Sequence, residues 1–145
     1  MAVTPAQILA LAEKLAADSE GCEAHVRSAV SRAYYAAFLA VADEITPYLD
    51  SQTIRLNGEG THSQLIGQIT AYASTARVIR PGYQEAAYIS KTLAKMKLKR
   101  VEADYRIDVD LDKDESHKAI DRATRVLESV EKFKARLERA NAAGS

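Results

Sequence analysis

Apolar residues in this chain recur every three to four positions over long stretches, and nowhere do they sustain the alternation of a strand. That period commits the chain to amphipathic helices, and its longest uninterrupted example runs from about Cys22 to Thr46. At about 100° per residue, Val26, Val30, Tyr34, Ala37, Phe38, Val41 and Ile45 line one face. The opposite face holds Ser28, Arg32, Tyr35, Leu39 and Ala42 and is not plainly polar. A helix apolar on two sides is either central to a bundle or at an oligomer interface, and both alternatives stay open here.

Proline and glycine divide the rest. Thr4 reads as the N-cap of a first helix, with Pro5 at its first position, Gln7 closing a capping box, and a stripe of Ile8, Leu11, Ala12 and Leu15. Asp18 to Gly21 is the break, and Thr53 to Gly60 reads as a loop. Thr61 is the expected cap of a third helix, with Gln64 as its box partner and Leu65, Ile69 and Tyr72 inside. Pro81-Gly82 opens a fourth helix that ends near Tyr105. Asp112 or Asp114 caps a fifth, which faces inward with Ile120, Ala123, Leu127, Val130, Phe133 and Leu137. The expected fold class is all-α: an antiparallel bundle of about five helices in one domain over residues 1–145.

Composition mainly removes alternatives. Twenty basic and twenty acidic side chains cancel, so no whole-molecule charge points to nucleic acid or membrane. Cys22 is the only cysteine, which rules out an internal disulfide and fits a reducing compartment. It reads as a small buried apolar group, and with His25, His62 and His117 scattered there is no metal-ligand spacing. Asp108, Asp110 and Asp112 invite a calcium loop, but Lys113 stands where the turn needs glycine and Ala119 where a glutamate must close the site. No apolar run approaches a membrane span and no basic leader precedes the first helix, so the cytoplasm is the expected location. No cofactor is expected.

The fourth helix is the most informative. With Ile89 at the origin, Leu93, Met96, Arg100 and Ala103 all fall within about 40° of it. Arg100 therefore lies on the apolar line, and an inward guanidinium needs a carboxylate, a phosphate or water. Asp104, one turn on, can meet it as an i, i+4 pair. That pair reads first as a structural ion pair and second as a site. Tyr105 falls on another apolar face with Leu98 and Val101, while Lys91, Lys95 and Lys99, with Lys97 nearby, form a basic stripe. The stripe reads as a solvated face ahead of a phosphate-tracking surface, because the net charge is zero.

Three stretches together resemble a known family: RSAVSRAYYAAFLAV (Arg27 to Val41), GTHSQLIGQI (Gly60 to Ile69) and LKRVEADYRID (Leu98 to Asp108). Their order and spacing are similar to the small single-domain branch of the HEPN family. The resemblance implies an antiparallel bundle that pairs as a two-fold homodimer in a bacterial or archaeal toxin–antitoxin or antiviral defence module. It further implies metal-independent RNA cleavage. A 2′-hydroxyl attacks the neighbouring phosphate, a histidine moves protons, and an arginine stabilises the phosphorane. On the matching positions Arg100, Asp104 and His62 become the candidate catalytic residues. Arg32, Tyr35, Lys95, Lys99 and Tyr105 become the candidate RNA contacts.

The chain departs from the family's signature, in which a histidine follows the arginine after four to six residues. Arg100 is followed by Val101, Glu102, Ala103, Asp104 and Tyr105, and a carboxylate beside a phosphate repels it. Arg55 and His62 do have six residues between them, but across a glycine-bearing loop, and the pair reads as a chance match. His62, just inside the third helix, is expected to have a lowered pKa from the helix dipole. Tyr34 belongs to the core stripe and reads as a buried tyrosine with a satisfied hydroxyl. Two functions follow. One is an RNA-directed HEPN-type protein that cleaves or binds RNA. The other is a non-catalytic helical module that docks a partner, such as a nucleotidyltransferase antitoxin or a larger defence protein.

Overall fold

The computed structural model describes residues 3–18, 22–49, 60–74 and 80–144. Five α-helices make up the described architecture: α1 Pro5–Ala17, α2 Glu23–Glu44, α3 Thr61–Ser74, α4 Tyr83–Tyr105 and α5 Lys113–Ala143. A short 3-10 turn, Thr46–Tyr48, follows α2. No strand occurs among the described residues. Arg55, with most of the expected loop before Gly60 and of the break after Asp18, lies outside them.

Local signals set the helix ends. Thr4 Oγ1 accepts from the Gln7 amide at 3.2 Å, and Gln7 Oε1 accepts from the Thr4 amide at 2.9 Å, so the capping box is complete. Such a cap contributes about 1 kcal/mol. Asp112 caps α5 by accepting from the Glu115 amide. Thr61 differs from expectation. It is the first residue of α3 rather than the cap before it, and the Gly60 carbonyl accepts from the Gln64 amide.

α2 is the central helix. It packs on α1, α4 and α5, while α3 packs on α4. This accounts for its two apolar sides from within one chain. Ala29, Ala33, Ala36 and Ala37 are fully buried and allow close approach, and Val26, Val30, Tyr34, Val41 and Ile45 fill the space between. Ile89, Leu93 and Met96 of α4 and Val126, Val130 and Phe133 of α5 close the core. Each large side chain buried there stabilises the fold by about 1.5–3 kcal/mol. Leu11 and Cys22, both expected inside, are exposed, and Leu9 is buried instead.

The two ends of α4 are anchored differently. At its start Gly82 has φ 75°, and a Cβ there would lie 2.6 Å from Phe133 Cδ2, so only glycine lets α4 begin this close to α5. At its other end the Arg27 guanidinium of α2 donates to the carbonyls of Glu102 (2.9 Å), Ala103 (3.1 Å), Arg106 (3.1 Å) and Val109. Glu23 adds a bond from the Leu111 amide at 2.7 Å. One basic side chain thus gathers carbonyls from the last turn of α4 and the turn after it, of which those of Glu102 and Arg106 also accept from the Arg106 and Val109 amides.

Candidate functional site

The C-terminal half of α4, the middle of α2 and the first turn of α3 meet at a polar cluster set into the aromatic edge of the core. Arg100 is at its centre, with only 18% of its side chain exposed. Its Nη2 donates to the Tyr35 hydroxyl at 2.6 Å. Its Nε lies 2.9 Å from Asp104 Oδ2, an ion pair whose alignment is not that of a hydrogen bond. Ser31 Oγ donates to the same carboxylate oxygen at 3.3 Å. The guanidinium carbon sits 5.2 Å from the Tyr35 ring centroid and 5.5 Å from that of Tyr105. Burial works against the Arg100 charge, but Tyr35 and Asp104 outweigh it and hold the group above its ordinary pKa.

His62 reaches this cluster from α3. Its ring stacks on Phe38 at 3.9 Å with 8° between planes, and on Tyr34 at 5.5 Å. It meets the edge of Tyr35 at 6.1 Å. Tyr34 OH and His62 Nδ1 are 2.6 Å apart. Burial pushes the Tyr34 hydroxyl up to about 12, so it stays neutral, and its oxygen can accept from Nδ1–H, which leaves the lone pair of the neutral imidazole on Nε2. The His62 pKa is lowered, by burial first and then by the Arg100 and Lys97 charges. The expected direction therefore holds, but its causes are desolvation and neighbouring cations. A neutral imidazole at physiological pH can take up a proton.

The structure thus brings Arg100, Asp104, His62, Tyr35 and Tyr105 together, with Tyr35 between the arginine and the histidine. Arg32 is exposed on α2, and Lys95 is exposed on α4 about 140° around the helix from Arg100. Lys99 pairs with Glu102 at 3.5 Å and Glu115 at 3.8 Å, which ties α4 to α5. Lys97 is the lysine at the cluster, held to Ser63 Oγ beside His62. It stands about 60° from Arg100 on the helical wheel, a signal that was present but lost within the exposed lysine stripe. Tyr34, Phe38 and Ser31 also belong to the site. Tyr34 was legible only as core.

Asp112 serves as a helix cap, and among the described residues no group of three or more His, Cys, Asp or Glu could hold a metal. No helix among them is long and apolar enough to cross a membrane. No family model, no curated protein and no solved structure matches this chain.

Proposed function

We propose that this chain is a HEPN-type, RNA-directed protein of a toxin–antitoxin or antiviral defence system, and that the Arg100–His62 cluster engages a phosphodiester. The supporting observation is that His62 and Arg100, far apart in sequence, flank the same Tyr35 ring. The histidine missing after Arg100 is supplied from another helix. In the reaction, neutral His62 takes the proton of a 2′-hydroxyl whose oxygen bonds to the adjacent phosphorus. The bond to the 5′-oxygen breaks, that oxygen takes a proton from water, the hydroxide left takes the proton held by His62, and a 2′,3′-cyclic phosphate, a 5′-hydroxyl and neutral His62 result. Arg100 and Lys97 offset the charge that builds on the phosphorane. Asp104 holds Arg100 in the resting protein and yields it when phosphate competes. A two-fold dimer in the cytoplasm belongs to the same reading.

A second reading is favoured by one specific feature. Leu98, Tyr105 and Ile107 are 69%, 69% and 83% exposed at the same end of α4. Apolar exposure on that scale suits a docked protein partner, such as an antitoxin or defence protein, with Arg100–Asp104 holding the helix that presents it.

The discriminating experiment incubates the protein with a mixed RNA pool in EDTA, alongside Arg100→Ala, His62→Gln and Asp104→Asn. Cleavage by wild type, lost in the first two variants, is expected. His62→Gln should keep its mobility shift. Asp104→Asn should bind more tightly, with the salt slope steeper by about one phosphate contact. Neither cleavage nor a salt-sensitive shift would sink the RNA reading and leave the docking module.

A further inference from the structure

At the other end of α4, about 27 Å along the helix from Arg100, the start of α4 and the last turns of α5 enclose a groove of about 500 Å³. That is the size of a small-molecule site. Three arginines line it, Arg80, Arg136 and Arg139, against one acid, Glu85. Glu85 is buried and holds Arg136 Nε at 2.5 Å. Among the described residues neither Arg80 nor Arg139 has a carboxylate within ion-pair distance. Three cations less one anion leave two positive charges on the groove. The negative end of α5 offsets roughly half a charge, and the groove stays cationic.

The walls are built rather than incidental. Arg80 lies 5.0 Å from the Tyr72 ring centroid, and the buried Tyr72 donates its hydroxyl to the Pro81 carbonyl at 2.7 Å. Gly82 then brings the chain against Phe133. Tyr83, 37% exposed, and Ala140 supply an aromatic and apolar wall beside the cations.

We propose that this groove binds the phosphate monoester of a small ligand that also carries a flat ring. A phosphate monoester bears about −1.5 to −2 at neutral pH, which matches the uncompensated charge. Its non-bridging oxygens suit the forked donors of Arg80 and Arg139, and a ring can lie along Tyr83. The free nucleotide and the 5′-phosphorylated end of a strand share this chemistry.

The test is calorimetric titration of the full chain with adenosine 5′-monophosphate, adenosine, inorganic phosphate and a 5′-phosphorylated dinucleotide. Adenosine 5′-monophosphate should bind at least about tenfold more tightly than adenosine or phosphate alone. Arg139→Glu, at an exposed position, should weaken that binding by about tenfold or more. Arg100→Ala should leave it within about twofold. A dinucleotide that binds as well as the mononucleotide supports the proposal with a strand end as ligand, and a weaker one supports it with the free nucleotide. No binding, equal binding of bare phosphate, or binding retained in Arg139→Glu would overturn the proposal. Loss in Arg100→Ala instead would move the anion to the other cluster and leave the RNA reading standing.

Discussion

Replacing Arg27 with methionine removes the clamp on the end of α4 while keeping most of the side chain's length. The Arg27 side chain is 11% exposed and its guanidinium donates to four carbonyls, three of them in part-buried bonds (Glu102, Ala103 and Val109). The Arg106 carbonyl is exposed, so water can replace that bond. The Glu23 ion pair, at 3.6 Å with Glu23 42% exposed, adds little. A hydrogen bond from a charged donor contributes about 1.5–3 kcal/mol. Bonds from one group are not additive, and a loss of about 3–4 kcal/mol is expected. At about 3 °C per kcal/mol for a domain of this size, the midpoint should fall by about 10 °C. Arg27→Lys keeps a charge but not the fork, and should lose about half as much. Thermal and urea unfolding followed by circular dichroism measure both. Because the Leu111 N–H donates to Glu23, which pairs with Arg27, its amide exchange should also speed up in the methionine variant. A methionine variant within about 1 kcal/mol of wild type would refute the clamp, and so would a lysine variant equal to wild type.

Gly82→Ala combines a left-handed φ with a Cβ 2.6 Å from a buried ring. Strain of about 1–2 kcal/mol and overpacking of about 1–3 kcal/mol should together cost about 2–5 kcal/mol in urea unfolding, and a cost below 1 kcal/mol would show that Phe133 yields freely. His62 makes stability depend on pH in a defined direction. Its folded-state pKa lies below the ordinary 6.5, so the unfolded chain binds its proton first as pH falls. The contribution is complete above about 6.5 and is lost as pH falls through the lower folded-state value. Urea midpoints measured between about pH 7.5 and 5 should therefore decline less steeply in His62→Gln than in wild type, and equal slopes would assign the decline to other groups.

What the sequence determined by itself lies within a turn or two of the chain. The Thr4 cap, the narrowing of the α5 cap to Asp112 or Asp114, the α2 stripe from Val26 to Ile45 and the Arg100–Asp104 pair all depend on spacings of three to four residues. Helix geometry alone sets those spacings. The periodicity also sufficed for an all-helical bundle, because five apolar stripes can be buried only against one another. Leu11 and Leu9 mark where that reading blurs, since they flank the stripe on opposite edges and only the rotation of the helix against α2 and α5 decides which of them is buried.

The tertiary structure alone decided everything that joins distant residues. His62 and Arg100 come to the same Tyr35 ring because α3 seats its first turn on Tyr34 and Phe38, a placement no motif spacing contains. Lys97, not Lys95 or Lys99, faces the cluster, and Leu98 and Tyr105 stay exposed, because α2, α3 and α5 occupy the other sides of α4. Arg27 finds carbonyls 75 to 82 residues away, and Arg80 shares a groove with Arg139. Helical periodicity says which face of a helix is apolar. Only the order and rotation of the packed helices say which polar groups those faces bring together.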